Sequence, residues 1–313
     1  MSTSQVLDRT FHLYRNNFWL FAGIAALPPA ILLVAQTGFF LVAYLSITKV
    51  NLIATGVAFV VGAIAMVVVY LLAHAFATGA TVYAVSRVHL GHAVRIGESY
   101  RTIRPMLWSI AGIFLLVGLI CAGASLVAIA GAFLPSGLLY IIGSSQASAA
   151  VGWIVGILTA VVTAIGIIWV LRLYCSYQLA VPACVLEKLP VSACLKRSRY
   201  LSKGKCVQRI LLVLFLAAVL GWVLSMALTI PVLFVGIFAA EKSPVMAIPV
   251  ALWQYMAGFV AGTLAGPVAT IAVALLYYDE RVRKEAFDLQ LMMETMGETA
   301  PRQMAAAAPP PLG

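Results

Sequence analysis

The sequence predicts an all-α integral membrane protein: six transmembrane helices in three parallel helix-pair repeats, each preceded by a basic amphipathic interfacial helix. Three observations carry that expectation. Hydrophobic residues make up 63% of the 313-residue chain and charged residues only 10%, against about 25% charged in soluble domains. Charge-free runs such as Asn16 to Thr48 and Ile210 to Ala240 exceed the roughly 20 residues that cross a bilayer. A short basic amphipathic segment recurs three times, each time leading into such a run. The net charge of +10 does not indicate nucleic acid. All Lys and Arg except Lys49 and Lys242 fall in the N-terminus, two long connections and the C-terminal segment. That distribution follows the positive-inside rule and places both termini in the cytoplasm of a multi-pass cell-membrane protein.

Residues 1–17 form the first amphipathic helix. Ser2 and Gln5 make a capping box, and Leu7, Phe11, Tyr14 and Phe18 line one face opposite Asp8, His12 and Arg15. No small-residue cleavage motif follows, so the segment reads as mature protein rather than a signal peptide. The membrane domain spans 18–278. Pro28 and Pro29 kink or break its first helix, and an external hairpin carries Lys49 and Asn51. A second span runs from Asn51 to about Thr78.

The cytoplasmic segment 87–104 sets Arg87, Arg95, Arg101 and Arg104 against a stripe of Ala93, Ile96, Gly97, Tyr100 and Ile103. The charge-free stretch from Pro105 to Val170 is too long for one helix, and its Gly- and Ser-rich section 134–150 reads as an external loop between two spans. In the segment 190–206, Val191, Cys194, Leu195, Ser198 and Leu201 share a face, with Lys196, Arg197, Arg199 and Lys203 opposite. Gly204 supplies a left-handed terminus. Spans over about 207–239 and 244–278 follow, bent at Pro231 and Pro249, with Glu241 and Lys242 in the turn between them. The three junctions align on an aromatic residue eight positions before Trp19, Trp108 and Gln208, namely Phe11, Tyr100 and Tyr200. Two spans per unit return the chain to the same side, so the repeats are parallel rather than inverted. A cytoplasmic helix over 279–298 carries Val282, Ala286, Leu289, Met293 and Met296 at heptad-like spacing, and 299–313 is a low-complexity, disordered tail.

The cationic stripe of Lys196, Arg197, Arg199, Lys203, Lys205 and Arg209 is the candidate contact for anionic lipid headgroups. Gly258, Gly262 and Gly266 recur every fourth residue and offer a helix-packing face, within the bundle or at a homodimer seam. His74 is the one ionisable residue placed deep in a span, and Gln36 and Gln254 are mid-span amides. His89 and His92 have a metal-compatible spacing but no acidic cluster beside them. The run Asp279, Glu280, Arg281, Arg283, Lys284, Glu285 reads as a helix face laced by i,i+4 pairs. The sequence shows no nucleophile-elbow, zinc-protease or phosphate-loop motif. No catalytic residue, cofactor site or metal site is assigned, and the five cysteines form no CxxC pair.

The stretch from Pro267 to Met292, with Leu275, Leu276, Tyr277, Tyr278, Asp279, Arg281, Arg283, Lys284, Glu285, Phe287, Asp288 and Leu289 as matching residues, resembles the closing signature of the membrane domain found with some bacterial glycerophosphoryl diester phosphodiesterases. Ala286 stands where Gly is commoner. The stretches around Lys196–Gly204 and from Val6 to Phe21 are similar to two further features of that family. The resemblance implies a standalone bacterial inner-membrane domain without the catalytic barrel, which needs about 250 residues of its own. No catalytic residue is transferred. The sequence thus leads to a non-catalytic polytopic membrane protein that contacts anionic lipid or anchors a protein partner. A transporter or lipid-translocating protein is the alternative, and nucleic acid is not a partner.

Overall fold

A computed structural model describes residues 3–46, 52–143, 149–240 and 247–285. These residues are 93% helical, with no strand among them. The helices are α1 (Thr3–Asn16), α2 (Phe18–Ala25), α3 (Leu27–Ser46), α4 (Leu52–His89), α5 (Ile96–Ile103), α6 (Leu107–Gly143), α7 (Ala149–Tyr177), α8 (Ala180–Glu187), α9 (Val191–Leu201), α10 (Cys206–Ala240) and α11 (Ala247–Glu285).

Five helices are long and apolar enough to cross a membrane, and six if the bent pair α2–α3 is one broken span. Helix is what an apolar medium enforces, because lipid offers no partner for a free backbone N–H or C=O. The outward faces suit the same medium. Trp19, Trp108, Trp153, Phe215 and Trp222 are each more than 60% exposed, as are many Val, Leu and Ile on α4, α6 and α7. Water would not tolerate apolar patches of that extent.

The buried core gathers toward one end of the bundle. It joins Val6, Phe21 and Ile24 to the C-terminal half of α4, the start of α6, α8, α9 and the 271–277 stretch of α11. Helix α11 is its axis: 56% of its most apolar window is buried, against 6–11% in the other long helices. Three short helices dock on this core. Val6, Thr10 and Leu13 of α1, Ser99 and Ile103 of α5, and Cys194, Ser198 and Leu201 of α9 are buried at helical spacing while their flanks stay exposed.

Each short helix also delivers a hydroxyl to a backbone carbonyl elsewhere in the bundle. Tyr14 donates to Leu264 O at 2.9 Å. Tyr100 donates to Ile24 O at 2.6 Å, and Ser198 to Ser176 O at 2.8 Å. The Tyr100 bond has a clear origin. In an unbroken helix Ile24 O would accept from residue 28, but that residue is Pro28 and has no N–H. Pro28 and Pro29 sit in the first turn of α3, where the N–H groups lack helical partners anyway. The chain therefore breaks at Ala26 with a 41° bend, and Tyr100 satisfies the carbonyl left over.

Elsewhere, α4 continues past Thr78 to His89. Helix α6 runs through Pro135, Ser136 and Gly137 to Gly143, where the sequence suggested a loop from 134, as apolar surroundings keep backbone groups paired within the helix. Helix α11 continues through Asp279 to Glu285 without a new start at 279. The expected hairpin at Lys49 and Asn51, the turn at Glu241 and Lys242, residues 286–298 and the tail lie outside the described residues.

Candidate functional site

Two features of the bundle concentrate polar chemistry: a charged clamp at the core end and a cavity between the long helices. The clamp is built by the last turns of α11 against α8, α9 and α10. Glu187, the final residue of α8, accepts from Arg197 Nε and Nη2, both at 3.2 Å, and from the Tyr277 hydroxyl. Arg197 also donates to Glu285 Oε2 at 2.6 Å, and Arg281 lies 3.8 Å from Glu187 and 3.5 Å from Glu285. Burial opposes the charge on Arg197, but the bonds to Glu285 and Glu187 outweigh it and raise its pKa above the ordinary arginine value. On the other flank Arg209 spans two neighbouring carboxylates, Asp279 at 2.7 Å and Glu280 at 2.7 Å. Its side chain is 13% exposed and theirs 6%.

Arg283 and Lys284 complete the i,i+4 pairs with Asp279 and Glu280. Lys284 also donates to Leu201 O at 2.5 Å and Lys203 O at 3.1 Å. A cation there complements the carbonyl end of α9. The run 279–285 is thus laced along its own helix, and it also holds three other helices.

The six predicted headgroup cations divide accordingly. Arg197 and Arg209 are engaged in the clamp. Lys196, Arg199, Lys203 and Lys205 are exposed on α9 and on the turn that Gly204 makes with φ +81°. Arg199 lies over the Tyr177 ring at 5.5 Å. Glu187 was not singled out in the sequence, though one signal was there: it is the only acid between Arg172 and Arg209, among six bases. Burial and the neighbouring Cys184 push the Cys194 thiol up to about 12, so it stays protonated.

The glycine face of α11 is not uniform. A Cβ on Gly262 would sit 3.2 Å from Pro29 Cγ, so α3 approaches closely there. A Cβ on Gly266 would only just reach Ala25, at 4.0 Å, and one on Gly258 would meet nothing within 4 Å. The space these two glycines leave borders two neighbouring pockets, or lobes, with Gly258 on the first alone. One lobe, about 270 Å³, lies against Pro28, Pro29 and Tyr70. The other, about 480 Å³, lies against Phe114, Cys121, Tyr174 and Gln178. They share His74 and Thr78 of α4 and Gly266 and Thr270 of α11. Each pair is spaced i,i+4, so each presents one helix face. The His74 ring is flanked by Tyr70 at 5.9 Å and Phe114 at 5.1 Å.

His89 stacks on Tyr278 at 5.7 Å, and His92 lies in the turn after α4. Among the described residues no three His, Cys, Asp or Glu side chains are placed to hold a metal ion. Comparison with family models, curated proteins and solved structures gives no match for the chain.

Proposed function

We propose that the chain is a non-catalytic, multi-pass protein of the cell membrane that contacts anionic lipid on its cytoplasmic side. The observation that carries this reading is the exposed quartet Lys196, Arg199, Lys203 and Lys205, set at the start of α10 while neighbouring acids occupy Arg197 and Arg209. Exposed Arg9, Arg15, Arg95, Arg101 and Arg104 extend the basic rim around α1 and α5. Each such charge near an anionic surface adds about 1 kcal/mol of attraction. Three helix pairs, each led by α1, α5 or α9, would put the rim on one side. The resemblance of the 267–292 stretch to the phosphodiesterase-associated membrane domain supports the same non-enzymatic reading.

The test uses nanodiscs of mixed anionic and zwitterionic lipid. Protein with the quartet changed to Gln is expected to lose the enrichment of anionic lipid retained by the unaltered chain, read by mass spectrometry of bound lipid. Equal enrichment in both would end the proposal. A second reading, lipid translocation, is favoured by the cavity beside the broken α2–α3 pair. Its test is a liposome assay with a headgroup-labelled phospholipid and an external quencher. Signal loss beyond the outer-leaflet half supports it, and a plateau at one half removes it.

A further inference from the structure

We infer that residues 286–298, which follow α11, dock along the exposed basic face of α9 and compete with anionic lipid for it. The inference rests on the reading that Lys196, Arg199, Lys203 and Lys205 contact anionic lipid, and it adds a regulator carried by the same chain. It starts from the face itself. Cys194, Ser198 and Leu201 turn one side of α9 into the core. Lys196 and Arg199 on α9, and Lys203 just past its end, follow one another by three and four residues and stay exposed on the other side. Tyr200 lies among them, 50% exposed. Among the described residues no carboxylate pairs with Lys196, Arg199, Lys203 or Lys205. The face is cationic and unanswered.

The end of α11 brings an occupant to that face. Arg197, the neighbour of Lys196, donates to Glu285, and Lys284 donates to Leu201 O at 2.5 Å and Lys203 O at 3.1 Å. The chain therefore leaves α11 beside α9. At up to about 3.5 Å per residue, Asp288 comes within about 10 Å of Glu285, which is about the diameter of a helix with its side chains. Charge favours this occupant. Glu187, Asp279, Glu280 and Glu285 are already held by the arginines of the clamp. Residues 286–298 carry Asp288, Glu294 and Glu298 and no Lys or Arg, so three negative charges are available to four positive ones. Tethering gives the segment a high effective concentration at the face. Surface ion pairs are individually weak, so an anionic bilayer can displace it, and the contact sets a threshold rather than a block.

The experiment uses the full chain in nanodiscs of phosphatidylglycerol and phosphatidylcholine, with bound lipid read by mass spectrometry. Asp288→Asn, Glu294→Gln and Glu298→Gln together are expected to raise phosphatidylglycerol enrichment about two- to threefold at low salt. The rise should vanish near about 1 M salt, where the screening length falls to about 3 Å. Changing the quartet to Gln in the same chain should also remove it. A benzophenone-bearing phenylalanine in place of Phe287 should crosslink within the chain to residues 192–205, and less so as the phosphatidylglycerol content rises. Unchanged or lowered enrichment in the triple variant, with the quartet change still lowering it, would overturn the inference and leave the lipid reading standing. Enrichment indifferent to the quartet in both backgrounds would overturn the two together. Crosslinks to lipid alone would put the segment in the membrane, and crosslinks only to a second copy would put it on another chain. Either result overturns the contact.

Discussion

At the scale of single residues, the two groups of cations differ in what their removal leaves behind. Arg209 is held between Asp279 and Glu280, both 6% exposed. Deleting it takes one cation from two buried carboxylates that keep Arg283 and Lys284 on their own helix, and removing one partner of a buried pair costs up to about 3–5 kcal/mol. Arg209→Met is therefore expected to lower the unfolding free energy by about 3 kcal/mol, seen as an earlier thermal or denaturant transition in detergent. Lys196 is exposed, and Lys196→Ala should change stability by no more than about 0.5 kcal/mol. Equal effects from the two substitutions would mean that the clamp does not hold the fold. The comparison also separates roles that residue type alone cannot. Arg197 and Lys196 are adjacent in sequence, yet one meets Glu187 and Glu285 and the other faces out.

At the scale of elements, α11 shows how one sequence pattern serves two purposes. Gly262 lets Pro29 of α3 come close, whereas Gly258 and Gly266 border open space. Gly262→Ala places a methyl group 3.2 Å from the Pro29 ring, which is rigid and attached to the break between α2 and α3. Overpacking of this kind costs about 1–3 kcal/mol. Gly258→Ala meets nothing and, with the better helix propensity of Ala, should be neutral or stabilising by up to about 1 kcal/mol. Denaturant titration of the two variants in detergent checks the difference, and a neutral Gly262→Ala would remove the close approach.

The long helices were legible in the sequence as charge-free runs, and the paired prolines and the Gly204 terminus are local signals, but the ends of α6 and α7 and the short α8 were not. One face of α9 was legible too, since Cys194, Ser198 and Leu201 share the spacing that buries them. But α1 buries Val6, Thr10 and Leu13 and leaves the expected Phe11 49% exposed, and α5 buries Ser99 and Ile103 while the expected Ala93, Ile96 and Gly97 stay exposed. The partners were not legible. Nothing near Tyr100 announces that it completes a carbonyl seventy-six residues away, and Glu187 meets α11 only after the chain has folded back. The i,i+4 pairs of 279–285 were visible because they are local, while their bonds to α9 and α10 depend on tertiary placement. The cavity escaped for a similar reason. Thr270 continues the face of Gly258, Gly262 and Gly266 by one more turn, but His74 and Thr78 reach it from another helix.

At the scale of the whole molecule, the bent pair α2–α3 decides the topology. Five crossings put the two termini on opposite sides of the membrane, and six put them on one side. Helix α3 contains 20 residues, about 30 Å at 1.5 Å per residue, enough to cross by itself. The core supports counting α2–α3 as one crossing. Helix α1 packs on α11 through Tyr14 and Leu264, and α5, at the end of α4, reaches back to α2 through Tyr100 and Ile24. The N-terminal helix, the C-terminal end of α4 and the charged turns of α11 thus gather at the same core end of the bundle. We expect six crossings, the arrangement that would place them together on one side of the membrane. The expected outcome is that reporters fused to the N- and C-terminus both read out on the cytoplasmic side, with a fluorescent-protein fusion bright and an alkaline-phosphatase fusion inactive at each end. Opposite readings at the two ends would make α2–α3 a re-entrant hairpin. The basic rim of α1 would then face away from the quartet on α9, and the single cytoplasmic lipid-contacting face would be lost with it.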